Sequence, residues 1–325
     1  MQRLPDMQGL SMMQSQIRPG PYAVLAALGL FIASAVASAG EEAFPLDEIA
    51  SGVYFHPGQM ADLDSPARGD SANLGVVVGT RCAAVIDSGG SLATGRALAA
   101  AVAARTSRPV CYVINTHVHF DHVLGNAAFV GDGTRFVGQQ GLAEAMAANR
   151  EYFAEQFSAE LDGAGGAARV IGPDDLVETR MELDLGERTL LLTAVARAHS
   201  TTDLTVLDVA SDTLFTGDLV FRERLPVLDG SLLDWLAWLD GAMQEAHARV
   251  VPGHGPVDLH WPEGARPLQR YLVALRDDTR AAVAAGDLLE DAKASVAVGP
   301  RGEWILTERA HGLNVSRAYR ELEWE

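Results

Sequence analysis

Short apolar runs set between glycines, prolines and polar turns recur up to about residue 260, after which helical spacing takes over. Gly52-Val53-Tyr54-Phe55 reads as a strand closed by the turn His56-Pro57-Gly58, which makes His56 a loop or pocket-rim residue. Residues 73–79 and 82–86 read as two strands joined by Gly79-Thr80-Arg81, and Asp87-Ser88-Gly89-Gly90 closes the second. The Ala-rich stretch 92–105 has high helix propensity, and Pro109 breaks the chain before the apolar run Val110-Cys111-Tyr112-Val113-Ile114. Strand, helix and strand in that order predict a parallel pair with a right-handed crossover. A further helix is expected over 138–157, and strands over 177–185, 189–195, 204–209 and 213–218. Residues 231–246 place Leu232, Trp235, Leu236 and Leu239 at helical spacing, and Arg249-Val250-Val251 is a short strand entering Pro252-Gly253-His254-Gly255-Pro256. From residue 262 onward the pattern is helical, over 268–285, 288–297 and 304–319.

The first 39 residues stand outside this α/β pattern. Arg3 and Arg18 precede an apolar run from Tyr22 to Val36, and Ala37-Ser38-Ala39 supplies a small-x-small cleavage site before Gly40. The stretch reads as a secretory signal and implies a periplasmic protein. The rival, an uncleaved anchor, is disfavoured because the apolar run is short of the roughly 20 residues a spanning helix needs. With no twin-arginine pair, the general export route is expected. The domains expected are therefore a signal peptide at 1–39, an α/β domain at 40–261 and a C-terminal helical extension at 262–325.

Charge changes the picture only by exclusion. The chain has 25 basic and 43 acidic residues, and loss of the leader leaves 23 against 42, or −19. A nucleic-acid partner, which calls for a basic footprint, is excluded. The two cysteines, Cys82 and Cys111, lie near the starts of expected strands. They could pair in an oxidising compartment, but sequence does not supply the geometry, and the reading adopted is two buried free thiols.

The candidate chemistry is concentrated in Thr116-His117-Val118-His119-Phe120-Asp121-His122, directly after an apolar strand. Three of the chain's nine histidines fall within six residues there, where a strand gives way to a loop. Neutral imidazoles and a carboxylate suit zinc, iron or manganese. On one tight loop His117 and His119 can point to one ion while Asp121 and His122 point to another. Downstream, His199 follows a strand, another strand ends on Gly217-Asp218, and His254 is held between glycines and prolines. Asp87 is either a carboxylate that orients a metal-bound histidine or a turn or capping residue. Arg222 and Arg224, just after Asp218, either face a pocket and pair with a substrate carboxylate or serve as structural ion-pair partners. His247, His260 and His311 are read as helix-surface, loop, and capping or surface residues.

In this order, THVHFDH, AHSTTD, LFTGD and PGHG resemble the metallo-β-lactamase superfamily across roughly residues 50–260. The resemblance implies a four-layer αββα sandwich, with two mixed sheets face to face, helices outside and a dinuclear site at one edge. It also implies two Zn(2+) per chain, one held by His117, His119 and His199, the other by Asp121, His122 and His254, with Asp218 bridging. A pair of ions about 3.5–4 Å apart would share an acidified water, which Asp121 could orient before passing its proton to the leaving group. Zinc β-lactamases carry Cys or Ser where this chain has Asp218, whereas the aspartate is typical of glyoxalase II-like and other broad hydrolases. Three further features are similar to the exported quinoprotein relay system zinc metallohydrolases, relatives of a sulfur-oxidation-cluster hydrolase: residues 221–230, the C-terminal helices and the ending 314–325. That likeness implies partners among periplasmic quinoprotein dehydrogenases and c-type cytochromes.

The function expected is hydrolysis of an ester, thioester or lactone-type acyl bond in a small-molecule substrate, with no stable membrane insertion once the leader is removed. A mononuclear iron persulfide dioxygenase is the alternative, which His122 and His254 oppose by completing a second ion's ligands. A β-lactamase is opposed by Asp218. A non-catalytic dehydrogenase partner that keeps its metal for stability is opposed by the complete ligand set. Nuclease activity is opposed by charge and export.

Overall fold

The computed structural model describes residues 44–163 and 165–325, so the expected leader at 1–39 lies outside the described residues. The described residues form one compact unit. Its first sheet contains β1 (Asp47–Ala50), β2 (Val53–His56), β3 (Leu74–Val78), β4 (Ala83–Ile86), β5 (Val110–Ile114), β6 (Arg135–Gln139) and β7 (Asp175–Val177), side by side in chain order. The pairs from β1 to β4 are antiparallel and those from β4 to β7 parallel. Helix α1 (Leu92–Arg105) makes the expected crossover between β4 and β5, α2 (Phe120–Val123) follows β5, and α3 (Leu142–Gln156) follows β6. Ser91 caps α1 by accepting a hydrogen bond from the Thr94 amide at 3.0 Å.

The second sheet has the order β12-β11-β10-β9-β8, from β8 (Arg180–Asp184), β9 (Thr189–Ala194), β10 (Leu204–Asp208), β11 (Thr213–Phe221) and β12 (Arg249–His254). Only the β11–β12 pair is parallel, joined through α4 (Leu232–Ala242). The two sheets pack face to face through Val53, Val77, Ile86 and Ile114 on one side and Leu190, Leu192, Val206 and Phe215 on the other. Leu98 and Val102 of α1 cover the outer face of the first sheet against Val76, Val85 and Val113. Outside the second sheet lies α4, on which α5 (Arg266–Ala285) and α8 (Thr307–Leu322) pack around Trp235 and Tyr271, with α6 (Leu289–Ser295) and α7 (Val298–Arg301) completing the tail. Helix, sheet, sheet, helix is the expected four-layer sandwich, and both sheets are mixed.

Several local expectations are corrected. The helix expected over 138–157 begins only at Leu142, because Arg135–Gln139 pairs as β6 beside β5. Ladder bonds on both sides outweigh local propensity in so short a run. The run 177–185 is not one strand: β7 closes the first sheet, and β8 opens the second after only Glu178 and Thr179. Helix α4 stops at Ala242, which puts His247 in a loop against Asp212 at 2.8 Å rather than on a helix surface. His311 is buried inside α8 beside the Tyr271 hydroxyl, not on the surface. The thiols of Cys82 and Cys111 are not free. The β4–β5 register sets the two residues beside each other, with Cα atoms 5.8 Å apart, and they form a disulfide.

Arg188 clasps the two sheets. Its guanidinium binds both oxygens of buried Asp208 at 2.8 and 2.7 Å and also donates to the Ser51 carbonyl in the β1–β2 turn at 2.8 Å. Burial opposes ionisation of Asp208, but hydrogen bonds from Arg188 and Ser211 outweigh it and hold its pKa below the ordinary carboxylate value.

Two predictions follow from this packing. Replacing both cysteines with alanine opens a crosslink of sequence separation 29. It should lower unfolding free energy by about 3–4 kcal/mol in urea titrations of oxidised protein, with no change in the reduced protein beyond the side-chain loss. Arg188→Leu should cost about 3 kcal/mol at neutral pH by stranding the buried carboxylate. A depressed carboxylate stabilises the fold above its unfolded pKa, and that contribution is lost as pH falls through the lower folded value. The deficit of the variant should therefore shrink on acidification below about pH 4; an unchanged deficit at pH 3.5 would contradict the ion pair.

Candidate metal centre

Two loops and two strands converge at one edge of the sandwich. The first leaves β5 and carries His117 and His119 before turning into α2, which holds Asp121 and His122. It is pinned through the His122 carbonyl, which accepts from the Ser88 amide at 3.0 Å and the Asn115 side chain at 3.1 Å. The second, between β9 and β10, presents His199 and is stapled by Asp203, which accepts from the Ser200 amide at 2.8 Å and its hydroxyl at 2.6 Å. The Leu204 amide bonds the Thr116 carbonyl at 2.8 Å and ties these two loops together. Asp218 projects from within β11, and His254 ends β12.

The Asp218 side chain lies between two groups of residues. Its Oδ2 is 3.6 Å from His117 Nε2 and 3.4 Å from His199 Nε2, while Oδ1 is 3.2 Å from His122 Nε2 and 3.4 Å from His254 Nε2. His199 Nε2 and His119 Nδ1 are 3.1 Å apart, and Asp121 Oδ2 is 3.4 Å from His254 Nε2. Ligands about 2.0–2.1 Å from a tetrahedral ion are about 3.3 Å from one another, so these spacings fit metal coordination. The buried atoms His117 Nε2, His122 Nε2 and Asp218 Oδ1 have no hydrogen-bond partner, a cost that a cation would remove. The backbone makes room: a Cβ on Gly253 would fall 1.9 Å from Asp218 Oδ1, so only glycine permits the carboxylate there. Two candidate ion-holding groups result, His117, His119, His199 and Asp218 in one, and Asp121, His122 and His254 in the other.

Neighbouring acceptors fix the imidazole tautomers. Asp87 Oδ2 accepts from His122 Nδ1–H and from the Thr116 hydroxyl, both at 2.8 Å, and the Thr116 oxygen accepts from His117 Nδ1–H at 3.1 Å. His254 Nδ1–H donates to the Ser71 carbonyl at 2.8 Å, and the Ser71 hydroxyl donates to Asp121 Oδ2 at 2.9 Å. Each ring so held turns a bare Nε2 inward, the form a metal requires. Burial and the neighbouring His122 keep His117 well below the usual imidazole range, and burial pushes His199 down to about 3. Burial opposes charge on His122 too, but Asp218, Asp87 and Asp121 outweigh it and raise its pKa well above the ordinary value. Asp218 is the converse: against burial, His254, His122 and His117 hold it well below the carboxylate range. The field at the centre calls for positive charge.

A cavity of about 310 Å³ opens over these groups. Val118, Phe120, Tyr152, Phe153 and Phe157 form an apolar wall, and Arg224, Asp229 and Arg317 lie on the polar side. The sequence-predicted residues do not all reach it. Arg222 donates to the Pro256 and Val257 carbonyls, both at 2.9 Å, and is spent holding the loop after β12. Arg224 faces the cavity with Nη1 3.1 Å from the His254 ring, and no carboxylate pairs with it among the described residues. His56 is a buried strand-end residue bonded to Asp70 and Pro45, away from both groups. Sequence reasoning missed Ser71, which supports two candidate ligands, and gave no role to Asp229 and Arg317. The polar turn before a helix, Asp229-Gly230-Ser231, was the only local signal.

Residues 67–254 match a family described as the Metallo-beta-lactamase superfamily. A search of curated proteins gives no match. Among solved structures, a metallo-beta-lactamase from Pontibacter korlensis is 20% identical, with a TM-score of 0.55, covering 70% of this chain and 98% of its own. TMB-1 is 17% identical, with a TM-score of 0.50, over 70% and 96%. The stereoselective inverting sec-alkylsulfatase Pisa1 from Pseudomonas sp. is 15% identical, with a TM-score of 0.61; the match covers 86% of this chain but only 50% of that one. At these identities the likeness is one of fold.

Because Asp87 is the common acceptor for Thr116 and the His122 ring, Asp87→Asn should weaken metal binding about 10–100-fold while the protein stays folded. Competition with a chromophoric chelator, paired with circular dichroism, measures both; unchanged affinity would remove Asp87 from the centre.

Proposed function

The chain belongs to the metallo-beta-lactamase superfamily and is a metal-dependent hydrolase, and from that premise we propose that it is an exported dinuclear zinc enzyme cleaving ester, thioester or lactone-type acyl bonds. The observation that carries this reading is the division of Asp218, one oxygen toward His117 and His199 and the other toward His122 and His254. His117, His119 and His199 would hold one zinc, Asp121, His122 and His254 the other, with Asp218 between them. Bound there, the ions supply Lewis acidity that polarises an acyl carbonyl and brings the pKa of a water toward neutrality.

The remaining work falls to side chains. Asp121 is held by the Ser71 hydroxyl and sits at the cavity wall, placed to take a proton and return it to the leaving group. Arg224 offers an unpaired cation to a substrate carboxylate, and the aromatic wall takes an apolar portion. No serine or cysteine nucleophile is required.

The iron dioxygenase alternative is opposed by the second group of ligands, which a single ion leaves idle. A β-lactamase is opposed by the aspartate at 218. Export to the periplasm is supported by the leader pattern of residues 1–39 and by the Cys82–Cys111 disulfide, since such bonds persist in oxidising compartments. No helix among the described residues is long and apolar enough to cross a membrane. A role beside quinoprotein dehydrogenases or c-type cytochromes rests on the likeness of residues 221–230 and 314–325 to the relay-system hydrolases.

The test is metal content of protein purified without added metal. About two zinc per chain, falling to about one or less in Asp218→Ala, is expected, together with turnover of at least one of a panel of thioesters, lactones and aryl esters that the variant lacks. One iron per chain with no zinc would overturn the proposal and redirect assays to oxygen-dependent sulfur chemistry.

A further inference from the structure

The last long helix, α8, lies beyond the family match at residues 67–254, yet its Arg317 lines the cavity over the metal centre. Its apolar residues Val315, Ala318 and Leu322 pack into the core around Trp235 and Tyr271. Asn314, Arg317 and Glu321 follow at spacings of three and four, which puts them on one face. All three grip the segment between β11 and α4. The Asn314 amide accepts from the Leu228 backbone N–H at 2.8 Å and donates to the Pro226 carbonyl at 2.8 Å. Arg317 donates to the Leu228 carbonyl at 2.6 Å and to Asp229 Oδ1. Glu321 accepts from the Ser231 hydroxyl at 2.6 Å and the Leu232 amide at 2.8 Å, at the N-terminus of α4.

The gripped segment in turn holds two histidines of one candidate group. Asp229 Oδ2 accepts from His119 Nε2–H at 3.1 Å, which leaves Nδ1 bare and turned toward His199. The Asp229 amide bonds the His199 carbonyl at 2.8 Å, and the Ser231 amide bonds the Ala198 carbonyl at 2.9 Å. Gly230 lets the two loop segments of this contact close, because a Cβ there would lie 2.3 Å from the Ala198 carbonyl oxygen. The other group is supported from elsewhere, through Ser71 and through Asp87, which also reaches His117 by way of Thr116.

We propose that α8 is a brace for one metal position, acting from Arg317 through Asp229 to His119, so that Asp229 and Arg317 are positioning residues for the ion held by His117, His119 and His199. Resting on the reading of the two groups as ion sites, the proposal gives the C-terminal helices a part in the metal centre. Fixing the tautomer and orientation of a histidine through its outer nitrogen commonly changes metal affinity 10–100-fold. Two partners in one chain of contacts should not act additively.

The experiment titrates metal-free protein with Zn(2+) alone against a chromophoric chelator, resolving the two stepwise affinities for wild type, Arg317→Met, Asp229→Ala and the double variant. Ser71→Ala serves as the comparison for the opposite group. Expected is a loss of about 10–100-fold in one affinity for Asp229→Ala, a smaller loss in the same affinity for Arg317→Met, and no further loss in the double variant. Ser71→Ala should weaken the other affinity. Melting of the metal-free variants, measured alongside, separates a local effect from unfolding. Unchanged affinities in a folded Asp229→Ala, or equal losses in both, would overturn the brace. A wild type that takes up one ion only would sink the dinuclear function instead; the brace then stands or falls on whether Asp229→Ala weakens that ion.

Discussion

Asp218 is a buried carboxylate with one oxygen against each of two sets of imidazoles, and the surrounding architecture makes that position tenable. A buried charge without partners would be prohibitive, so every loop that approaches it has to bring a compensating group. The sandwich does this by ending strands of both sheets at one edge. β5 and β12 deliver histidines, β11 delivers the carboxylate itself, and the β9–β10 connection closes the ring. Asp87, Thr116 and Ser71 hold the outer nitrogens of His122, His117 and His254, so these rings turn Nε2 toward the carboxylates, where a bound cation would complete the charge balance.

Rigidity at this edge is inherited from a distance. The inter-sheet core and the Arg188 clasp fix the sheets relative to one another, and the Cys82–Cys111 bond ties the starting ends of β4 and β5 within the first sheet. The loops then need only short bonds, such as Leu204 to Thr116, to hold their registration. Preorganisation of this kind keeps ligands in place before the ion arrives and leaves the cavity wall free to vary with substrate.

The sandwich and the candidate ligand groups are legible because their signals are local. Strand ends, turn glycines and clustered histidines sit within a few residues of one another, as in 110–122 and 213–218. What escaped depends on long-range pairing. β6 owes its existence to the neighbours on either side, and the split at residues 177–180 to a change of sheet. The cysteine pair needed the β4–β5 register, and Ser71 reaches His254 across a separation of 183 residues. Arg317 and Asp229, 88 residues apart, carried no pattern that could join them in advance. Of the two arginines after Asp218, only three-dimensional accounting of hydrogen bonds separates Arg222, which is committed to carbonyls, from Arg224 at the cavity.

The absent side chain at Gly253 also works as a marker for reading other chains. Because any Cβ there would occupy the space of the Asp218 carboxylate, the two positions are locked to each other sterically. A chain of this fold with a larger residue at the equivalent of 253 has to move or abandon its carboxylate at the equivalent of 218, and its backbone alone reveals a different charge balance at the centre. Two letters of sequence, 35 residues apart, thus report whether this arrangement is sterically open to a given relative.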